Sequence, residues 1–345
     1  MYEKATLPAA DSMVRENTDG RNNSGVSMKI AILLLVHKNK DQVERLIRKL
    51  HHENIDIFVH IDTKCSFAPE DLCVPENVFF TEKRHDACLF EFSLVDAEFE
   101  LILAAKKQGN YKYFVLVSGQ CYPLQSIETI HGFLEESYPK PFIDIIAPTE
   151  TNYVTKVFSH VNILKRFKLN TYAFLKKHFS FKTYRALRYI PGGFVFVVCM
   201  IKELFCKSPH ARLEKLGYLN CCGAQWWMLP DNVIELMLQE RENKAFCKAI
   251  SDAFGCDETF FQTAMMKHKE ECGLALDAQG NYMERRWFHI FDGGHPIILR
   301  KEHYDQLAQS KMLFARKFDI DVDCEILDML DKKTSSCPCT QHTES

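Results

Sequence analysis

The sequence lacks a hydrophobic stretch long enough to cross a membrane. The nearest candidate, from Gly193 to Ile201, is about half of the roughly 18 to 20 residues that a spanning helix needs. The chain also lacks an excess of either charge, because 43 Lys and Arg are matched by 46 Asp and Glu among its 345 residues. We therefore expect no spanning helix, and nothing in the overall charge favours binding to nucleic acid.

The 14 cysteines lack the spacing of a metal site or a disulfide framework. The closest pairs, Cys221 with Cys222 and Cys337 with Cys339, do not match a zinc-binding pattern, and no signal peptide precedes them. Buried thiols in a reducing, intracellular setting are expected. The Walker loop and the G-x-G-x-x-G, G-x-S-x-G and H-E-x-x-H motifs are also absent, which excludes the commonest motif-bearing hydrolases and dinucleotide enzymes.

Composition divides the chain into a leader, a domain and a tail. Residues 1–27 are polar and without periodicity, which predicts a disordered leader, and residues 331–345 are predicted to form a disordered tail. One domain is expected over residues 28–330. Between Lys156 and Tyr218, thirteen Lys and Arg face two acids, which predicts a basic helical insertion. This insertion is either a segment that lies on an anionic membrane surface or a solvated unit with a small core of its own.

Short apolar runs alternate with helical periodicity in the first half of the chain. The runs predict strands at Ile30–Val36, Ile57–Ile61, Val78–Phe80 and Tyr113–Val117. Helices are predicted between them, one opened by a capping box of Asn39 and Gln42 and one capped by Ser93. The fold class is therefore α/β, with a Rossmann-like, mostly parallel sheet flanked by helices.

Polar residues follow three of the predicted strands, namely His37, Asp62 and Ser118. Open parallel sheets bind ligands at the carboxyl ends of their strands, so these residues indicate a nucleotide crevice. Later in the chain, Asp257 and Glu258 are predicted to open a helix, with Asp257 as its N-cap. The helix dipole is expected to keep the Glu258 carboxylate ionised and available as a base at neutral pH.

Seven segments, in order from residue 29 to about residue 330, together resemble one known family. They are Ala31–Lys38, Val59–Asp62, Phe92–Ala97, Val117–Leu124, Gly223–Trp227, Cys256–Phe261 and Leu313–Asp319. The family is that of the core-2/I-branching β-1,6-N-acetylglucosaminyltransferases, which includes the peptide O-xylosyltransferases. The resemblance implies a GT-A glycosyltransferase fold and an inverting transfer from a UDP-sugar without a metal ion or other cofactor.

The resemblance also implies roles for residues at both ends of the site. Glu258 matches the general base, and Lys317 matches the residue that binds the donor diphosphate, with Arg316 beside it as a second candidate. The uridine end of the site is expected at Val36, His37 and Asp62. The sugar and the acceptor are expected next to Gln225, Trp226 and Trp227, because the flat face of an indole suits a pyranose ring.

The chain departs from the family pattern at two positions. Cys121 stands where members commonly have an aspartate, which puts the sugar contact of that carboxylate in question. Ile297 stands where a second phosphate-binding basic residue is expected, and Arg300, Arg285 and Arg286 are the alternatives. The D-x-D pattern from Asp319 to Asp323 lies too late in the chain to match the metal-binding motif of nucleotide-sugar transferases, so no metal site is predicted.

These observations predict a bacterial-type enzyme of polysaccharide biosynthesis. The expected donor is UDP-N-acetylglucosamine, with UDP-xylose as the alternative, and the expected acceptor is a glycan hydroxyl. A second hypothesis is a non-catalytic relative that binds glycans or membranes. The expected location is the cytoplasm, with peripheral contact to the inner membrane face through residues 156–218; membrane attachment is the alternative.

Overall fold

The computed structural model describes residues 27–148, 209–253, 255–292 and 295–335. The strands are β1 Ile30–Val36, β2 Ile55–Ile61, β3 Val78–Phe80, β4 Tyr113–Ser118, β5 Cys121–Pro123, β6 Asp144–Ile145, β7 Met228–Pro230, β8 Tyr282–Met283, β9 Trp287–Phe288, β10 Phe291–Asp292, β11 His295–Pro296 and β12 Phe314–Arg316. The α-helices are α1 Lys40–Lys49, α2 Phe92–Gln108, α3 Ile127–Ser137, α4 Pro209–Lys215, α5 Asp231–Glu242, α6 Lys244–Ser251, α7 Phe260–Lys267, α8 Tyr304–Gln309 and α9 Glu325–Ser335. Short 3₁₀ turns lie at Pro69–Asp71, Cys256–Glu258 and Lys301–His303.

The central sheet has five strands in the order β3-β2-β1-β4-β7. The first four strands are parallel to their neighbours, and β7 pairs with β4 in the antiparallel direction. All seven residues of β1 and all six of β4 are buried, as expected for strands covered on both faces. This mixed α/β arrangement, with a mostly parallel sheet flanked by helices, confirms the predicted fold class and is consistent with a GT-A-like fold.

A second sheet joins the end of the chain to the carboxyl edge of the central sheet. Its order is β5-β12-β9, with β12 antiparallel to β5 and parallel to β9. In this pairing Arg316 lies opposite Cys121. Residues that are far apart in the sequence, those after β4 and those of β12, are therefore neighbours in the structure.

Two predicted helix caps are wrong, although the helices themselves form. Asn39 precedes α1 in a left-handed conformation with φ of 58° and caps nothing with its side chain. Gln42 is buried instead, where its amide donates to the carbonyl oxygens of Gly119 and Phe318 over 2.6 and 3.2 Å. Ser93 lies inside α2, and its hydroxyl accepts from the main-chain N–H of Cys88 over 3.0 Å. Tertiary partners have replaced the local capping bonds.

The predicted boundary of the tail at residue 331 needs correction, because α9 continues to Ser335. Asp331 accepts hydrogen bonds from the Arg45 guanidinium and from the Tyr122 hydroxyl, each over 2.7 Å. Lys333 donates to the carbonyl oxygen of Leu124 over 2.6 Å. These contacts fix the last turns of α9 against α1 and β5. Residues 1–26, 149–208 and 336–345 lie outside the described residues, and with them most of the predicted insertion and the apolar run 193–201.

Candidate active site

The carboxyl ends of β1, β2 and β4 meet at one edge of the central sheet. Val36 pairs with Ile61 and Leu35 pairs with Ser118 in the strand register. The main-chain N–H of Asp62 then donates to the carbonyl oxygen of Val36 over 2.8 Å. The predicted clustering of the residues that follow these strands is therefore confirmed, and this edge is where the sequence predicts the nucleotide crevice.

Asp62 organises the loop that follows β2. Its carboxylate accepts from the Lys64 main-chain N–H over 2.7 Å, from the Lys64 ammonium over 3.0 Å and from the Ala87 N–H over 3.0 Å. The neighbouring His37 ring is exposed at the end of β1. Partial burial, followed by the charge of Lys38, lowers the pKa of His37, and Asp62 opposes this change. A neutral imidazole is thus favoured at the predicted uridine end.

Basic residues at the end of β12 and after β1 influence each other electrostatically at this edge. Lys317 directly follows β12, and its main-chain carbonyl oxygen accepts from Leu299 over 2.7 Å. Burial, then the charges of Arg316 and Lys38, lower the pKa of Lys317. The charges of Arg316 and Lys38 thus act on Lys317, which indicates a concentration of positive charge. Such an arrangement stabilises a bound anion, for example a diphosphate.

Arg316 lies over the indole face of Trp226, with its guanidinium carbon 4.3 Å from the ring centroid. Its Nε is buried and has no hydrogen-bond partner. Burial lowers the pKa of Arg316, and Cys121 and Glu258 oppose this change. Cys121 is fully buried and 3.4 Å from the Ser118 hydroxyl. Cys121 thus lies against Arg316. It does not make the sugar contact that the family's aspartate suggested for this position.

Glu258 ends the 3₁₀ turn Cys256–Glu258, and the following helix α7 begins two residues later with Thr259 as its N-cap. The predicted helix start at Asp257 and its N-cap role are therefore wrong. Burial, followed by the negative charge of Asp257, raises the pKa of Glu258, while Arg316 and Arg285 lower it. The expectation that a helix dipole keeps this carboxylate ionised needs correction, because burial outweighs the nearby cations.

The segment before Trp226 is held against Glu258 by main-chain contacts. The N–H of Gly223 donates to the carbonyl oxygen of Glu258 over 2.9 Å, and the Gln262 amide donates to the carbonyl oxygen of Ala224 over 3.0 Å. A Cβ at Gly223 would come within 1.8 Å of the Asp144 carbonyl oxygen. Only glycine fits this close approach, which holds the segment against Asp144 and the main chain of Glu258.

Glu98 is a buried acid that the sequence analysis missed. It lies in α2 with no exposed surface, and its Oε1 accepts from the Gln225 amide over 2.6 Å. Its Oε2 is buried without a hydrogen-bond partner. Burial raises the pKa of Glu98 well above its ordinary value; the Gln225 hydrogen bond opposes this rise and Asp257 adds to it. The sequence did contain a signal for this burial, because Glu98 lies on the same apolar stripe of the helix as Leu94 and Leu101.

Trp227 is also displaced from its predicted role. Its indole has no exposed surface and packs on Phe261 with ring centroids 4.9 Å apart. It therefore belongs to the core and offers no face to a sugar. Gln225 and Trp226 lie at the site, but the Gln225 amide is bound to Glu98 and Arg316 covers one face of Trp226.

The alternative basic residues occupy three different environments. Arg285 pairs with Asp144, its Nε 3.2 Å from Oδ2, and acts electrostatically on Glu258. Arg286 pairs with Glu284 over 2.8 Å and lies over the rings of Phe133 and Phe142, away from Glu258. The Arg300 side chain is exposed after the segment that contacts Lys317.

His289 was not predicted and lies near the same cations. Burial, followed by the charges of Arg285 and Arg316, lowers its pKa to about 2, so its imidazole is neutral. Its Nδ1 is buried without a hydrogen-bond partner. Nothing in the local sequence distinguishes this histidine, because part of its environment is made by Arg316 and Lys317 at the end of β12.

The acidic D-x-D residues serve as structural acceptors. Asp319 accepts from the Lys38 ammonium over 2.5 Å and from the Asn39 amide over 2.6 Å, and Asp323 accepts from the main-chain N–H groups of Lys301 and Ile326 over 2.9 and 3.2 Å. Within the described ranges, no group of three or more His, Cys, Asp and Glu is placed to hold a metal ion. No helix of the described part of the chain is long and apolar enough to cross a bilayer.

Comparison with known proteins gives one match. A sequence model of the family described as Core-2/I-Branching enzyme matches residues 30–182. No curated protein matches the chain significantly. The matched residues include β1, β2 and β4 with His37 and Asp62, whereas Glu258 and Lys317 lie beyond them. The match over residues 30–182 supports the Core-2/I-Branching enzyme family for this part of the chain, which indicates a glycosyltransferase.

Proposed function

We propose that the protein is an inverting, metal-independent glycosyltransferase that moves N-acetylglucosamine in β linkage from a UDP-sugar to a glycan hydroxyl. The main support is the position of a half-buried carboxylate, Glu258, beside cations at the carboxyl edge of a parallel sheet. Such an edge suits a nucleotide, and the cations suit its diphosphate. The raised pKa of Glu258 makes its ionised form a stronger base, and the charges of Arg316 and Arg285 favour that ionised form.

The reaction is a single in-line displacement. The acceptor hydroxyl oxygen attacks the anomeric carbon while Glu258 takes its proton, so that a new C–O bond forms and the configuration inverts. The bond from the anomeric carbon to the phosphate oxygen breaks, and its electron pair leaves with the UDP. Lys317, with Arg316 nearby, stabilises the negative charge that develops on this leaving group. The Asp319 carboxylate already binds Lys38 and Asn39. In this proposal the charge of the diphosphate is therefore neutralised by basic side chains.

Donor choice is assigned to the surroundings of Gln225, whose amide is bound to Glu98. UDP-xylose is the alternative donor, since it differs from UDP-N-acetylglucosamine by lacking the acetamido and hydroxymethyl groups. A non-catalytic, glycan-binding role is the second candidate, and the specific observation in its favour is Arg316 lying on the face of Trp226. In that role the protein would bind a sugar nucleotide or glycan without turnover.

Titration calorimetry with UDP-N-acetylglucosamine, UDP-xylose and UDP, each with and without EDTA, tests donor and metal dependence together. We expect binding of UDP and of one sugar nucleotide that EDTA does not change. Absence of any nucleotide binding would contradict the transferase proposal. Binding that EDTA abolishes would contradict its metal-independent form.

The role of Glu258 is tested by the variant Glu258→Gln. We expect transfer to fall by at least about a hundredfold while the affinity for UDP stays within about twofold, because only the proton acceptor is lost. The exposed carboxylate of Glu242, at the end of α5, gives a matched control as Glu242→Gln. Transfer near the wild-type rate in Glu258→Gln would show that another group is the base.

We further propose that the protein works in the cytoplasm, in peripheral contact with an anionic inner membrane face through residues 156–218. The support is the excess of basic residues in that segment. Its described end, α4, has Arg212 paired with Asp252 over 2.6 Å, so this cation is already neutralised. Sedimentation with vesicles that contain anionic lipid should show binding at low salt that is lost at high salt. Failure to bind such vesicles at low salt would contradict this location.

A further inference from the structure

Lys38 is a basic residue at the crevice to which neither the family match nor the proposed reaction assigns a role. It follows His37 at the end of β1, where the carboxyl ends of the parallel strands meet. Its ammonium lies 2.5 Å from Oδ2 of Asp319, and Asp319 is two residues after Lys317. The charge of Lys38 also lowers the pKa of both His37 and Lys317.

We propose that Lys38 binds the leaving diphosphate together with Lys317, and that Asp319 holds Lys38 in position until the donor arrives. This inference rests on the proposed function, because it adds a residue to the donor site of that reaction. A diphosphate ester carries two negative charges, and one ammonium group balances one of them. The position at which the family pattern places a second cation is Ile297 in this chain.

The contacts of Asp319 allow Lys38 to change partners. Asp319 also accepts from the Asn39 amide over 2.6 Å and from the main-chain N–H of Asp321 over 3.2 Å. These two donors remain when Lys38 moves, so the carboxylate is not left buried without hydrogen bonds. Asp319 is nearly buried, with 9% of its side chain exposed, whereas Lys38 is 39% exposed and can turn toward the crevice.

Arg316 is less suited to this movement than Lys38. Its guanidinium lies on Trp226 at 4.3 Å from the ring centroid, and its Nε is already buried. Moving it toward a diphosphate would break the cation–π contact and expose the indole. The ammonium of Lys38 would exchange one anionic partner, the Asp319 carboxylate, for another, a phosphate, so its charge stays paired.

The test compares four variants by calorimetry with UDP and with uridine at low ionic strength. Lys38→Met removes the cation, Asp319→Asn removes its carboxylate, and both break the same ion pair. Lys40→Met is the matched control, because Lys40 is 43% exposed and pairs with Glu44 on the outside of α1.

We expect Lys38→Met to bind UDP about ten- to a hundredfold more weakly than the wild type, with uridine affinity unchanged, because a charge-assisted contact to the phosphates is lost. Asp319→Asn should bind UDP at least as tightly as the wild type, since it removes a competing negative charge. Lys38→Arg should restore most of the affinity, and Lys40→Met should have no effect.

Three results would overturn the inference while leaving the proposed function in place. The first is a wild-type affinity for UDP in Lys38→Met. The second is an equal loss of UDP affinity in Lys38→Met and Asp319→Asn. The third is a loss of uridine affinity in Lys38→Met that parallels its loss of UDP affinity. The second result would mean that the ion pair only supports the fold. Absence of UDP binding by the wild type would instead overturn the proposed function, and this inference with it.

Discussion

Replacing Glu98 with glutamine should stabilise the protein, and the gain should grow as the pH rises. Glu98 is fully buried, and burial raises its pKa well above the 4.5 at which the unfolded chain releases this proton. A group with a raised folded-state pKa contributes stability that is complete below the unfolded pKa and is lost as the pH rises toward the folded one. Glutamine has no proton to lose, and its amide oxygen can still accept from Gln225.

The size of this effect follows from proton linkage. Over each pH unit in which the carboxyl is protonated in the folded protein and ionised in the unfolded chain, the free energy of unfolding of the wild type falls by about 1.4 kcal/mol. Between pH 5 and pH 7 the gap between Glu98→Gln and the wild type should therefore widen by up to about 2.7 kcal/mol. Urea unfolding at pH 5, 6 and 7 measures this gap.

The control for that experiment is Glu135→Gln, which removes an exposed carboxylate from α3. A gap between Glu98→Gln and the wild type that stays constant over this pH range would refute the reasoning. It would mean that the Glu98 carboxyl is ionised in the folded protein despite its burial.

Three other predictions concern the surroundings of the site. Gly223→Ala should lower the free energy of unfolding by about 2 kcal/mol or more, because its Cβ would lie 1.8 Å from the Asp144 carbonyl oxygen; thermal unfolding checks this. Deleting the chain after Leu330 should lower the free energy of unfolding by about 2 kcal/mol, because the last turns of α9 and their charged contacts are lost. An unchanged melting temperature would contradict this prediction. Arg316→Met should move the acid limb of the pH–rate profile to higher pH, since its charge lowers the pKa of Glu258, while Arg316→Lys should not.

The parallel strands could be predicted from the sequence because their signal is local. A continuous apolar run such as Ile30–Val36 has one stable place in an α/β protein, between two neighbouring strands and under helices on both faces. The polar residues that end these strands must then lie at one edge, and His37 and Asp62 do so. This part of the site follows from strand direction alone.

The ionisation states and side-chain partners at the site could not be predicted, because they depend on residues far away in the sequence. The helix-dipole argument for Glu258 used one turn of chain, whereas the pKa of this carboxyl also depends on Arg285 and Arg316 from later segments. Trp226 and Trp227 are adjacent in the sequence, yet one meets Arg316 and the other enters the core. Only the packed structure distinguishes them.

The ion pair of Lys38 with Asp319 can form only late in the synthesis of the chain. These residues are separated by 281 positions in the chain, and Asn39 is 280 positions from the same carboxylate. A ribosome must therefore synthesise nearly the whole polypeptide before the β1 edge acquires its second wall. The first four strands of the central sheet can form early, whereas in the proposed function competence to bind the donor would appear only after β12 docks. Prematurely terminated chains would thus have a sheet without a complete donor site.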